Sequence, residues 1–115
     1  MRKLLALLVL LICLPASAYA FNLSFLEYTP TYYFTKSDWA LMQKTINDAL
    51  NRGEDNQRYT WKNPQSTAFG FITPSNTMQS KGKLCRTVKI YNSAKSVTGE
   101  ASYFFCKIDG EWKVI

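Results

Sequence analysis

The chain is 115 residues long and basic, with 14 Lys and Arg against 8 Asp and Glu, a net charge of +6 and no histidine. The missing histidine excludes Ser-His-Asp and Cys-His nucleophilic catalysis and every His-containing metal site. No glycine-rich phosphate loop is present, so neither a cofactor nor a metal is expected.

Met1-Arg2-Lys3 is a positive start, Leu4 to Leu14 is an almost unbroken apolar run, and Ala18-Tyr19-Ala20 is a small-x-small cleavage site. Residues 1–20 therefore read as a secretory signal peptide removed after Ala20. The apolar run falls short of the roughly 20 residues needed to span a bilayer. Cys13 follows Ile12, where lipoprotein processing wants a small residue, so it reads as an ordinary apolar member of this segment. The expected location is exported, periplasmic or secreted, with outer-membrane association left open.

The rest of the chain has the size of one domain with a modest core. Two cysteines remain in it, Cys85 and Cys106. An even number in an exported chain predicts a disulfide between them. Closing that loop stabilises a fold by roughly 3 kcal/mol. The basic residues are scattered and mostly alternate with apolar ones, the pattern of a solvated sheet face. They give at most a weak attraction to anionic envelope polymers or lipid head groups. Export and the lack of a basic run argue against nucleic acid as a partner.

Residues 21–34 form an aromatic arm broken by Pro30, in which Leu23, Phe25 and Tyr28 can line one side. It reads either as an exposed interaction patch or as a segment tucked against the domain. A single α+β domain is expected over residues 35–115. Thr35 followed by Asp38 resembles a capping box, with Ser37 as an alternative N-cap. Trp39, Met42, Ile46, Ala49 and Leu50 recur at helical spacing and mark the core face of an amphipathic helix. Arg52 suits the helix C-terminal dipole, and Gly53 is a natural residue to end it. Glu54 and Asp55 are adjacent carboxylates, too close in sequence to flank a sugar as a glycosidase pair does.

From residue 58 the period becomes strand-like. A first strand spans residues 58–62 and ends at Asn63-Pro64; a second spans residues 68–73, with Gly70 at a bulge or a close packing approach. A turn at Pro74-Ser75-Asn76 is expected next, then a polar loop through residues 76–82. The third strand covers residues 84–91 and the fourth residues 100–108, with a second loop at residues 92–99. Asp109-Gly110 is a strong hairpin signal leading into a last strand at residues 111–115.

Setting Cys85 opposite Cys106 pairs Arg86 with Phe105, Val88 with Tyr103 and Ile90 with Ala101. A two-residue turn at Asp109-Gly110 pairs Phe105 with Val114 and Lys107 with Trp112. One face then carries Leu84, Val88, Ile90, Ala101, Tyr103, Phe105, Trp112 and Val114, with the disulfide on the other, beside a small bulge. Arg86 is the anomaly on the core side. It reaches solvent at the sheet end, pairs with Asp48, Glu54 or Asp55, or faces a ligand. Trp61 is the one Trp with a candidate surface role, stacking on a sugar or peptide near Asn63-Pro64; the competing reading is packing.

Trp61-x-Asn63-Pro64, Gly70, Pro74, Gly82-x-x-Cys85-Arg86, Cys106 and Asp109-Gly110-x-Trp112 stand in one order. Over residues 59–115 this resembles the 17 kDa surface antigen family of Gram-negative bacteria. The resemblance implies an envelope protein without assigned enzymatic activity, and it carries no catalytic residues over. Typical members look like lipoproteins with a glycine-zipper stretch; this sequence has neither a lipobox nor a glycine-rich repeat.

The resulting expectation is one N-terminal helix on a four- to five-stranded antiparallel sheet with one disulfide. The functional expectation is a non-catalytic envelope module that binds an unknown partner or is structural, with Trp61, Asn63, Pro64, Arg86 and Trp112 as candidate binding residues. The alternative is a small secreted inhibitor of a hydrolase such as lysozyme or a protease.

Overall fold

The computed structural model describes residues 29–115. The expected signal peptide and the first part of the aromatic arm, residues 21–28, lie outside them. A 3₁₀ turn, Pro30–Tyr33, leads into helix α1, Lys36–Arg52, and then five strands follow: β1 Tyr59–Lys62, β2 Phe69–Ser80, β3 Lys83–Ala94, β4 Val97–Ile108 and β5 Glu111–Val114. The strands form one antiparallel sheet in the order β1-β2-β3-β4-β5.

Helix α1 starts as its sequence dictates. Thr35 Oγ1 accepts from the Asp38 N–H at 3.2 Å, and Asp38 Oδ2 accepts from the Thr35 N–H at 2.8 Å, completing a capping box. Lys44 and Asp48, one turn apart, pair at 3.1 Å on the exposed side. Gly53 ends the helix for a different reason than expected. Its φ is −70° rather than left-handed, and what it supplies is space: a Cβ there would lie 2.6 Å from the Ala49 carbonyl and 3.1 Å from Pro74.

Met42, Ala49 and Leu50 of α1 pack against Trp61, Ala68, Ile72, Val88 and Ala94. At the start of the helix the expected stripe is rotated. Trp39 is 41% exposed while Asp38 is fully buried, because the capping carboxylate has further partners in the β1–β2 loop, described below. Phe34 links the two tryptophans edge-on, at 5.3 Å from Trp39 and 5.4 Å from Trp61. The described end of the arm thus divides: Phe34 joins the core rim and Pro30 is buried, while Tyr32 and Tyr33 stay exposed.

The β3–β4 ladder has Cys85 opposite Cys106, Arg86 opposite Phe105, Val88 opposite Tyr103 and Ile90 opposite Ala101. The β4–β5 ladder has Phe105 opposite Val114 and Lys107 opposite Trp112. Cys85 and Cys106 are bonded, on the face away from the helix. No bulge interrupts the ladder around them. The irregularity lies one strand over, where the register of β2 on β3 shifts between Ser75 and Met78, leaving Asn76 and Thr77 opposite Arg86.

Two expected loops are strands. Residues 76–80 continue β2, residues 92–94 end β3 and residues 97–99 open β4. Pro74 does not break β2, because its carbonyl accepts from the Asn56 N–H on the side away from β3. Its missing N–H therefore costs no bond to β3. The three hairpins turn on Lys81–Gly82, Lys95–Ser96 and Asp109–Gly110, every one of these residues at positive φ, as type I′ turns require. Lys95–Ser96 contains no glycine, asparagine or aspartate, so no residue there signals such a turn.

The apolar face inferred from register is one face of the sheet, and α1 lies mainly on its β1, β2 and adjoining β3 part. Leu84, Tyr103 and Val114 remain 36%, 44% and 56% exposed.

Candidate functional site

The motif residues gather at the two ends of α1. At the N-terminal end, Asn63 follows β1 and turns back under the helix. Its Nδ2 donates to Ser37 Oγ and to Asp38 Oδ1, both at 2.8 Å, and its Oδ1 accepts from the Gln65 N–H at 3.1 Å. Ser66 Oγ donates to the same Asp38 oxygen at 2.6 Å. Burial works to raise the pKa of Asp38, and hydrogen bonds from Ser66, the Thr35 backbone and Asn63 overcome it, so the carboxyl titrates below its ordinary value. Pro64 is exposed at the tip of this loop.

At the C-terminal end Arg86 reaches across from β3. Its Nη1 donates to the carbonyls of Ala49 and Leu50 at 3.0 and 2.9 Å. Its Nη2 donates to the Gly53 carbonyl at 2.7 Å and Asp55 Oδ1 at 2.9 Å, and its Nε to Thr77 Oγ1 at 2.8 Å. A guanidinium has five N–H donors, and all five are used. Asp55 is the acid that pairs with it. The Asp55 carboxyl also accepts from the Thr77 hydroxyl at 2.6 Å and backbone at 3.1 Å. These bonds, the Thr77 hydroxyl first and then Arg86, hold Asp55 below its ordinary pKa.

Trp61 is only 3% exposed and lies over Gly70, its ladder partner. A Cβ on Gly70 would sit 2.3 Å from Trp61 Nε1 and 2.6 Å from Asn92 Oδ1, so Gly70 marks a close approach and not a bulge. The surface role considered for Trp61 fails on this burial. Trp112 donates through Nε1 to Asn51 Oδ1 at 2.8 Å, fastening the last hairpin to the end of α1, with Lys107 Nζ 5.9 Å from its ring centroid.

Trp61, Asn63, Arg86 and Trp112 thus hold the helix on the sheet, and the surface they leave free lies elsewhere. On the face away from α1, Phe69 and Phe71 of β2 stand beside Tyr91 of β3. The Phe71 and Tyr91 rings stack with centroids 5.4 Å apart. The Arg58 guanidinium carbon lies 4.3 Å from the Phe71 centroid, a cation–π contact. Next to them a depression of about 260 Å³ is lined by Arg58, Phe71, Thr73, Lys89, Tyr91 and Glu100. Lys89 and Glu100 approach to 3.6 Å and both stay more than half exposed. Lys62, opposite Phe69, adds a further cation to this face.

This outer face combines half-buried rings with exposed cations and makes a candidate binding surface for an anionic partner. Sequence reasoning passed over it. The signal was the alternation in Phe69-Gly70-Phe71-Ile72: once Gly70 and Ile72 face the helix, the two phenylalanines must face out. Among the described residues no three His, Cys, Asp or Glu side chains are grouped to hold a metal. No helix among them is long and apolar enough to cross a membrane.

The chain is similar to the 17 kDa surface antigens of Rickettsia conorii, Rickettsia rickettsii and Rickettsia japonica. In each comparison it is 30% identical over 86 residues, covering 70% of this chain and 52% of the relative. The chain thus spans about half the length of the curated relatives it matches. No family model matches it, and no solved structure does.

Proposed function

We propose that this chain is a non-catalytic cell-envelope protein, exported and periplasmic or surface-associated, that binds an anionic envelope component through the outer face of its sheet. The observation that carries the reading is the similarity to surface antigens, proteins named for a cell-surface location. The outer face supports it: Arg58, Lys62 and Lys89 surround the Phe69–Phe71–Tyr91 cluster, against the single acid Glu100. Cations on a half-apolar sheet attract polyanions over a distance and hold them weakly, with affinity that falls as salt rises.

Co-sedimentation of the purified protein with envelopes isolated from its own cells tests this reading. The expected result is binding at low ionic strength that weakens steadily as salt is added, and recovery of the native protein in the envelope or periplasmic fraction. A protein found only in the cytoplasm, or one that ignores envelopes at every salt concentration, contradicts it.

A further inference from the structure

The two long sides of the sheet are finished differently. β1 pairs with only residues 69–72 of β2, and the 54–57 loop closes the side beyond it. There Asn56 N–H donates to the Pro74 carbonyl at 2.7 Å and the Thr77 N–H donates to Asp55 Oδ2 at 3.1 Å. On the opposite side β5 pairs with only residues 105–108 of β4, and the Ile115 N–H donates to the Phe104 carbonyl at 2.9 Å. Among the described residues nothing pairs with the outward backbone of residues 97–103.

That Phe104 carbonyl fixes the direction of the rest. Residues two apart on a strand point the same way, so Thr98, Glu100 and Ser102 present both N–H and C=O outward. Sheet edges of this kind are usually guarded by lysine, proline or a bulge. Residues 97–103 carry none of these, and Glu100 is their one charge. Beside this edge, on the inner face, a hollow of about 220 Å³ lies between Pro30, Ile90, Gly99, Ala101 and the half-exposed Tyr103.

We propose that this edge of β4 pairs with the same edge of a second copy of the chain, antiparallel about a two-fold axis at Ala101, joining the two sheets into one. The register follows from charge and space. An axis at Glu100 sets two like carboxylates directly opposite one another. An axis at Ser102 drives Glu100 onto Phe104, whose carbonyl already accepts from Ile115. An axis at Gly99 leaves Tyr103 opposite the Lys95 turn. The axis at Ala101 sets Glu100 opposite Ser102 and Tyr103 of each copy opposite Gly99 of the other; Pro30 already lies against Gly99, so the ring packs on Pro30 at the rim of the hollow. The contact is reciprocal, as a two-fold interface must be. Each Glu100 keeps Lys89 of its own chain nearby, at 3.6 Å.

In this register Ala101 opposes itself as a non-hydrogen-bonded pair, with Cα atoms about 4.5 Å apart and within disulfide reach. The test is the full-length gene expressed with Ala101→Cys, beside Ser102→Cys as control. Under mild oxidation Ala101→Cys should give a dimer that reductant dissolves, and Ser102→Cys, which opposes Glu100, should remain unlinked. For the unmodified protein, light scattering should show the mass rising from one chain toward two with concentration. Ser102→Pro removes only an outward N–H, so it should lower the dimer fraction and leave the melting temperature in place. A constant monomer mass with no Ala101→Cys link overturns the proposal, as does equal linking of the two cysteine variants. Slow exchange of the Glu100 and Ser102 amides in a monomer also overturns it, since another segment would then hold the edge.

Discussion

Arg86 and Gly53 meet at 2.7 Å, guanidinium Nη2 to carbonyl oxygen, where a strand residue takes over the work of a helix C-cap. The last carbonyls of a helix carry partial negative charge and need donors. With Gly53 in an extended conformation, no left-handed cap supplies a full set, and Arg86 fills in for Ala49, Leu50 and Gly53 together. Arg86→Met should therefore destabilise the protein by about 3 kcal/mol, because the carbonyls of Ala49, Leu50 and Gly53 lose their donors together. Arg86→Lys should recover only part of this, since one ammonium cannot reproduce the planar fork. Urea denaturation of the three proteins gives the numbers.

The other end of the helix depends on a carboxylate. Asp38 and Asp55 both titrate below their ordinary value when folded. Their contribution to stability is therefore fully present above the unfolded carboxylate pKa of about 4 and is lost as pH falls through the lower folded values. Stability followed from pH 6 to pH 2 should decline mainly below pH 4. Asp38→Asn should flatten the decline, and Asp38→Ala should cost about 2–3 kcal/mol at neutral pH through the lost cap and the stranded partners Asn63 and Ser66.

Gly70→Ala places a methyl group where Trp61 Nε1, the Tyr91 carbonyl and Asn92 Oδ1 already converge. Two of those three neighbours are buried and the third is sheet backbone, so none can yield cheaply. A loss of about 3 kcal/mol is expected, with a change in Trp fluorescence as Trp61 shifts. An unchanged melting temperature would contradict the packing described.

Reduction of Cys85–Cys106 should lower stability by roughly 3 kcal/mol without dissolving the fold. The same two strands are held in register by the full β3–β4 ladder and by Arg86 on the helix. Thermal melts with and without reductant measure the difference.

The sheet was legible because its constraints are local or covalent. The two cysteines and the Asp109-Gly110 turn fix the ladder arithmetic, and a slip of one residue would reverse every side chain. Strand ends were less legible. Pro74 is harmless only because its nitrogen faces away from β3, and Lys95–Ser96 turns without any glycine. Neither follows from the residues alone. The tryptophans exchanged roles for the same kind of reason. Trp39 fits the helical stripe, but Asp38 is drawn inward by Asn63 and Ser66, twenty-five or more residues away, and Trp61 fills the room above Gly70. Arg86 was visible as an anomaly of burial; its partners, mostly backbone carbonyls, carry no side-chain signature. The outer aromatic face needed the assignment of which strand face meets the helix.

The most direct test compares the wild-type protein with Arg58→Glu combined with Lys89→Glu in binding to isolated envelopes. Both cations are exposed; losing the Arg58–Phe71 contact and the Lys89–Glu100 pair should lower the melting temperature by only a few degrees, so binding is compared well below it. The double variant should lose envelope binding at low salt. Binding equal to wild type, by a variant that folds equally well, would contradict the assignment of the outer sheet face as the working surface.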